Sequence, residues 1–325
     1  MNMPWAIYLF VFILSFAICA PTCKAIIPRL RRSAAQPIYE GGPTWHTSKS
    51  GTPTLGGISF IIAITVSGEL GALLLVNGGK TEEAISVVSI LAFALVNSLI
   101  GLADDITKLT KKQNAGLTPL QKLFLQSVSS VAFLALRRIL FGDDTAITVA
   151  GYTLELGAFY YFAAFVFLLG IINCANLTDG VDGLAAGVSF SSAIPLFLIS
   201  AHIYSDCAMI SAALAGGALA FLLYNSNPAK IFMGDTGSLY LGAVAASLPF
   251  TLDNPFLSFL FGTVYVIEGL SVIIQVISYK TRKKRVFIMA PLHHHLEKRG
   301  WGETKICLAA SALTLLATTP LCFLI

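Results

Sequence analysis

Apolar runs long enough to cross a bilayer recur along this chain, and only short polar loops separate them. Hydrophobic residues make up 56% of the 325 residues and charged residues 12%, with a mean hydropathy of +0.78. That composition lies outside the range of soluble globular domains. A spanning helix needs about 20 mostly apolar residues. Ten segments qualify: 5–23, 54–76, 84–103, 119–140, 159–175, 184–202, 207–224, 239–252, 255–278 and 306–325. The eighth is short and relies on neighbouring helices to accommodate Gly242 and Pro249. Backbone groups in lipid must be satisfied within the segment, so these runs are read as helices. The expected fold is an all-α polytopic membrane protein of about ten transmembrane helices, forming one domain over residues 1–325.

Orientation follows from the cations. The odd-numbered loops, counted with the helix ends that flank them, carry 18 Lys and Arg; the even side carries only Lys80, Arg137 and Arg138. The positive-inside rule places the odd loops in the cytoplasm and both termini outside. The first segment contains Ala17-Ile18-Cys19-Ala20, which resembles a cleavage site. It lacks a basic leader and its cations follow it, so it is read as an uncleaved anchor. The six cysteines show no metal-ligand spacing and four lie well inside apolar runs, so they read as packing residues. The net charge of +4 suits an anionic leaflet or anionic substrates and gives little support for nucleic-acid binding.

Against this background the acids stand out. Asp104-Asp105, Asp179-Gly180-Val181-Asp182 and Asp235 all adjoin apolar runs on the positive-loop side. Ionisable groups there are costly and are kept mainly for a substrate or ion. Asp104 and Asp105 stand at a helix C-terminus, the unfavourable end for negative charge. Lys108, Lys111 and Lys112 or a divalent metal must compensate them, and oxygen ligands beside phosphates suit Mg²⁺. The loop Asn173–Gly183 has two acids, two amides and no Lys or Arg, which suits hydrogen bonding to a base or ribose. Its spacing resembles the start of a calcium loop, but the glutamate at the twelfth position is missing, which excludes an EF-hand.

Three further segments complete the set. Lys49-Ser50-Gly51-Thr52-Pro53-Thr54-Leu55-Gly56-Gly57 offers donors to a phosphate or base; alternatively it is a helix entry with Thr52 as cap and Pro53 in the first turn. In Phe232–Ser238 the glycines flanking Asp235-Thr236 permit a tight turn that aims the carboxylate, and Phe232 is placed either to stack on a base or to be buried. No glycine-rich Walker loop occurs. In Pro291–Trp301 the run His293-His294-His295 cannot face one way on a helix, which argues against a single zinc site and for one or two contacts to substrate phosphates. Glu268 and Gln275, seven residues apart, share a helix face.

Taken in order, the segments Lys49–Gly57, Asp104-Asp105 with Lys108, Asn176–Gly183, Phe232–Ser238 and Pro291–Glu297 resemble the signatures of the polyprenyl-phosphate N-acetylhexosamine-1-phosphate transferases. The Gly-Thr-Pro-Thr and triple-His segments are similar to the muramoyl-pentapeptide branch of that superfamily. Three departures stand against the pattern: Tyr39 for a usual Arg, Leu55 for a usual Met, and a last helix without Arg-Phe-Trp. The resemblance implies transfer of phospho-MurNAc-pentapeptide from its UDP donor to undecaprenyl phosphate at the cytoplasmic face of the bacterial inner membrane, giving lipid I and UMP. It implies Mg²⁺ on Asp235, with Asp104, Asp105 and His294 as further catalytic groups. Lys49, Thr54, Lys108, Lys122, Asn176, Asp179, Asp182, Phe232, Gln275, His293 and His295 are implied as substrate contacts, with Asn176, Asp179, Phe232 and Gln275 on the uridine and ribose. Uridine-containing nucleoside inhibitors are implied ligands, and a homodimer is left open. Two alternatives remain: a UDP-GlcNAc donor, and an ion-coupled transporter. The acids lie at helix ends on one side rather than mid-membrane, and paired broken helices are absent, which disfavours the transporter.

Overall fold

A computed structural model describes residues 4–34, 49, 51–111, 116–142, 145–149, 152–201, 203–252 and 254–320. Tyr39, Lys112, Cys322 and the end of the tenth segment lie outside the described residues. Helices dominate: α1 (Trp5–Ser33), α2 (Gly57–Asn77), α3 (Thr81–Lys111), α4 (Pro119–Phe141), α5 (Ala158–Thr178), α6 (Leu184–Ser200), α7 (Ser205–Asn225), α8 (Gly234–Ser247), α9 (Ser258–Phe261), α10 (Thr263–Arg282), α11 (Leu292–Lys298) and α12 (Glu303–Thr318). Seven of these, α1 to α5, α7 and α10, are long and apolar enough to cross a membrane. α6, α8 and α12 have 17, 14 and 16 residues and are shorter than a full span.

The centre of the bundle is α8, buried from Thr236 to Ser247 and packed against α2, α3 and α5. Glycine lets the backbones meet. A Cβ at Gly101 of α3 would collide with the Asp235 carbonyl, and one at Gly57 of α2 would lie 2.5 Å from the Gly237 Cα. Gly242 sits against Ile172 and Ala175 of α5, which is how the short eighth run is accommodated. α7 is buried almost all round, as a helix apolar on every face must be. Outward, Ile62, Val66, Leu73 and Val76 form one exposed face of α2, as expected of a surface wetted by lipid rather than water.

Three sequence expectations need correction. The second helix begins at Gly57, and Thr52 and Pro53 do not form its first turn. Pro53 instead pairs with the loop before α8 and the chain turns at Leu55 (φ +68°): Phe232 N donates to the Pro53 carbonyl (2.8 Å) and Gly56 N to the Phe232 carbonyl (2.8 Å). The run 255–278 is broken into a 3₁₀ turn at Pro255–Leu257, α9 and α10, with Gly262 at the junction. Strands β1 (Ala146–Val149) and β2 (Tyr152–Glu155) form an antiparallel hairpin, Ala146 opposite Glu155, which a count of apolar runs does not find. Its signal was there in the β-branched run Ile147-Thr148-Val149 followed by Ala-Gly.

Substitution at the α3–α8 contact tests this packing. Gly101→Val must push two backbones apart, a cost of about 1–3 kcal/mol, so its thermal midpoint in detergent should fall by several degrees. Gly170→Val in α5, where no heavy atom lies within 4 Å of the new Cβ, should leave the midpoint nearly unchanged. Equal midpoints for the two variants would contradict the assignment of α8 as the packed centre.

Candidate active site

The site starts from a helix end capped by another helix. α3 outruns its apolar stretch and presents Asp104, Asp105 and Lys108 beyond it. Gly234 enters α8 with φ +71°, and a Cβ there would lie 2.6 Å from Asp105 Oδ2, so only glycine fits. Asp105 then accepts three hydrogen bonds from the first turn of α8: Asp235 N (3.2 Å), Thr236 N (2.9 Å) and Thr236 Oγ1 (2.7 Å). A buried carboxylate thus satisfies the orphan amides of α8 and complements its dipole.

With α8 so fixed, Asp235 becomes the hub of four helices. Its Oδ2 accepts from Lys122 Nζ of α4 (2.6 Å) and Lys108 Nζ of α3 (2.9 Å), and its Oδ1 from Asn176 Nδ2 of α5 (2.9 Å). Asp104 bonds Lys108 through Oδ2 (2.7 Å) and accepts from Leu117 N through Oδ1 (2.6 Å). Burial alone would raise the Asp235 carboxyl. The hydrogen bond with Asp104 and the two ammoniums outweigh burial and hold it well below the ordinary carboxylate range. One ligand atom from each of Asp104, Asp105 and Asp235 lies within 4.8 Å of the others. Three hard oxygen donors at that spacing fit a divalent cation such as Mg²⁺. Both oxygens of each acid already have protein partners: Asp105 on α8, Asp104 on Leu117 N and Lys108, and Asp235 on Asn176, Lys108 and Lys122.

Beside this cluster lies a second junction. Lys49 Nζ bridges Asp182 Oδ1 (2.7 Å) and Glu303 Oε2 (2.6 Å). Glu303 also accepts from Asp182 N (2.9 Å), while Asp182 Oδ2 accepts from Asn227 Nδ2 (3.1 Å) and Ala229 N (2.9 Å). Three loops and the start of α12 are pinned together there. Asp179, just past α5, is pushed up to about 8, first by burial and then by the nearby carboxylates Asp235, Asp105 and Asp182.

The three histidines point three ways. His293 is 1% exposed, donates from its backbone N to both Glu268 oxygens (3.1 and 3.2 Å), and packs its ring under Gly180. His294 Nδ1 pairs with Glu297 Oε2 at 2.6 Å, and His295 Nδ1 accepts from Ile288 N at 3.1 Å. Other candidates are more committed than sequence could show. Both amide atoms of Gln275 hold the backbone of Val286 and Phe287. Asn176 stands with the carboxylates, also donating to Ser238 Oγ (2.8 Å). Thr54 is buried beneath Gly234, and Phe232 is half-buried on the strip paired with Pro53.

Residues 87–253 match the family described as glycosyl transferase family 4. Relatives named phospho-N-acetylmuramoyl-pentapeptide-transferase match nearly the whole chain. That of Halalkalibacterium halodurans is 42% identical, over 92% of this chain and 92% of its own. That of Clostridium perfringens strain SM101 is 41% identical, over 93% and 92%. That of Shouchella clausii is 43% identical, over 92% and 91%. The chain belongs to the phospho-N-acetylmuramoyl-pentapeptide-transferase family.

Within this transferase, sequence reasoning missed Glu303 and Ser238. Glu303 follows Gly302 in the first turn of α12, where an acid reads as a dipole partner and nothing in the sequence signals Lys49. Ser238 sits one turn after Gly234, and its position over Asn176 emerges only from the α5–α8 contact.

The Asp179 environment gives a signed pH prediction. Its folded value is raised, so the neutral form is favoured in the folded state. The stability it contributes is fully present below the unfolded value of about 3.9 and lost as pH rises through about 8. The midpoint difference, wild type minus Asp179→Asn, should therefore fall steadily from pH 4 to pH 8.5. A flat difference would show that Asp179 is an ordinary carboxylate.

Proposed function

We propose that the protein transfers phospho-N-acetylmuramoyl-pentapeptide from its UDP ester to undecaprenyl phosphate, releasing UMP and leaving lipid I in the membrane. The observation that carries this reading is the gathering of Asp104, Asp105 and Asp235 with Lys108 and Lys122 at one end of the bundle. Both reactants are anions, so the site must suppress their repulsion and align attack with departure. Phosphoryl transfer is mostly positioning and electrostatics. Mg²⁺ held by Asp235, with Asp105 assisting, would neutralise the diphosphate. The lysines are the site's own cations: both lie within reach of Asp235 and can turn to a phosphate oxygen. Asn176, Asp179 and Phe232 are assigned to the uridine and ribose and Lys49 to the donor's charge, with Gln275 setting the neighbouring loop. One or two of the histidines, His294 among them, are assigned to the substrate phosphates. The loop charges support ten spans, both termini outside and the site on the cytoplasmic face of the inner membrane.

In the chemical step an oxygen of the acceptor phosphate attacks the sugar-bearing phosphorus of the donor. The bond from that phosphorus to the bridging oxygen breaks, and UMP leaves with the electron pair. A phosphomonoester has a second pKa near 6, so most acceptor is already dianionic at pH 7. Asp104 is therefore assigned to take the residual proton and to position the acceptor in a single displacement.

Three outcomes test this. Asp235→Asn should lower turnover by at least about a hundredfold, the scale of losing one electrostatic stabiliser, with the protein still folded in detergent; near-normal turnover would remove Asp235 from the centre. The Asp104→Asn defect should shrink between pH 6 and 9. Lipid-independent exchange of labelled UMP into the donor, present in wild type and lost in Asp104→Asn, would instead establish a covalent intermediate. In competition, UDP-MurNAc-pentapeptide should displace UDP-GlcNAc; the reverse preference would assign the other donor.

A further inference from the structure

Arg137 and Arg138 sit at the end of α4 remote from Lys122, on the opposite side of the bundle from the carboxylates. The charge bias of the loops gives no reason for cations there. The two act differently. Arg137 is half-buried and donates to Ser86 Oγ (2.9 Å) and the Phe250 carbonyl (2.8 Å), with Phe141 4.0 Å from its guanidinium. It ties α4 to α3 and to the turn after α8. Arg138 is exposed, its guanidinium 5.6 Å from the centre of the Tyr161 ring on α5.

Next to Arg138 an open groove of about 410 Å³ runs between α4 and α5, walled by Val131, Ala135, Phe162 and Phe165 and ended by Arg138 and Tyr161. A smaller hollow of about 80 Å³ adjoins it, sharing Arg138 and Tyr161 and adding Arg137 and Tyr160. From Val131 to Arg138 is two helical turns, roughly 10 Å. The Arg–Tyr pair stands within a turn of where α4 ends and α5 begins, the level at which such side chains meet lipid headgroups. An apolar trough capped by a cation matches a molecule with an anionic head and an apolar tail, and a basic pocket between helices is how headgroup phosphates are held.

We propose that this groove binds one anionic phospholipid of the leaflet opposite the catalytic cluster, its phosphate on Arg138 and an acyl chain along Val131, Ala135, Phe162 and Phe165. The role is separate from the transfer reaction and does not rest on that assignment.

The test uses the full chain in detergent, titrated with phosphatidylglycerol or phosphatidylcholine and followed by native mass spectrometry. Wild type should hold its first phosphatidylglycerol at least fivefold more tightly than phosphatidylcholine. Arg138→Gln should weaken phosphatidylglycerol about tenfold and leave phosphatidylcholine unchanged, whereas Arg138→Lys should keep part of the preference. Val131→Trp, which fills the groove, should weaken both lipids, and free inorganic phosphate should not compete. A photoactivatable phosphatidylglycerol should label α4 and α5 of wild type, which decides the matter even if a variant folds poorly. Unchanged phosphatidylglycerol affinity in Arg138→Gln, equal loss for both lipids, or labelling confined to other helices would overturn the proposal.

Discussion

The structure depends on one carboxylate that caps a helix it does not belong to. Asp105 takes up the first amides of α8 and so fixes where that helix starts, how it is rotated, and where Asp235 points. A buried acid is costly unless hydrogen-bonded, and here three donors from a helix N-terminus meet that cost. The contact is possible because Gly234 has no side chain and Gly101 lets α3 lie against the Asp235 carbonyl. Remove either condition and α8 must shift, taking the hub of the candidate site with it.

The same economy appears in the charges. Lys108 and Lys122 both contact Asp235, and Lys108 also bonds Asp104, so cations and acids are partners before any substrate arrives. Such pairing keeps Asp235 ionised against the burial that would otherwise neutralise it. It also preorganises the groups: few side chains need to move from solvent to meet an incoming phosphate. Asp179 is raised to about 8, first by burial and then by the neighbouring carboxylates.

Much of this was legible in the chain. Runs of apolar residues located the helices, because lipid permits little else. The acids were conspicuous because membrane segments rarely keep them. What was illegible was long-range. Glu303 lies 254 residues from Lys49, and no local pattern joins them. Gln275 looked free for a ligand because its partners, Val286 and Phe287, come from a loop folded back on α10. The start of α2 was misplaced because Pro53 pairs with Phe232, a contact between distant segments that overrides the usual helix-entry reading. The β-hairpin was missed for a different cause: the apolar count that finds spanning helices passes over short strands in polar loops.

The Lys49–Glu303 bridge has a consequence for biosynthesis. A chain enters the membrane from its N-terminus, and earlier segments fold before later ones exist. Lys49 emerges first and Glu303 follows 254 residues later, at the first turn of α12. Until α12 is in place, Lys49 has only Asp182 as its acid, and the Asp182 amide has no acceptor in Glu303. A nascent chain that already carries all three acids of the central cluster therefore still lacks a finished second junction. The second junction can close only after α12 has been made.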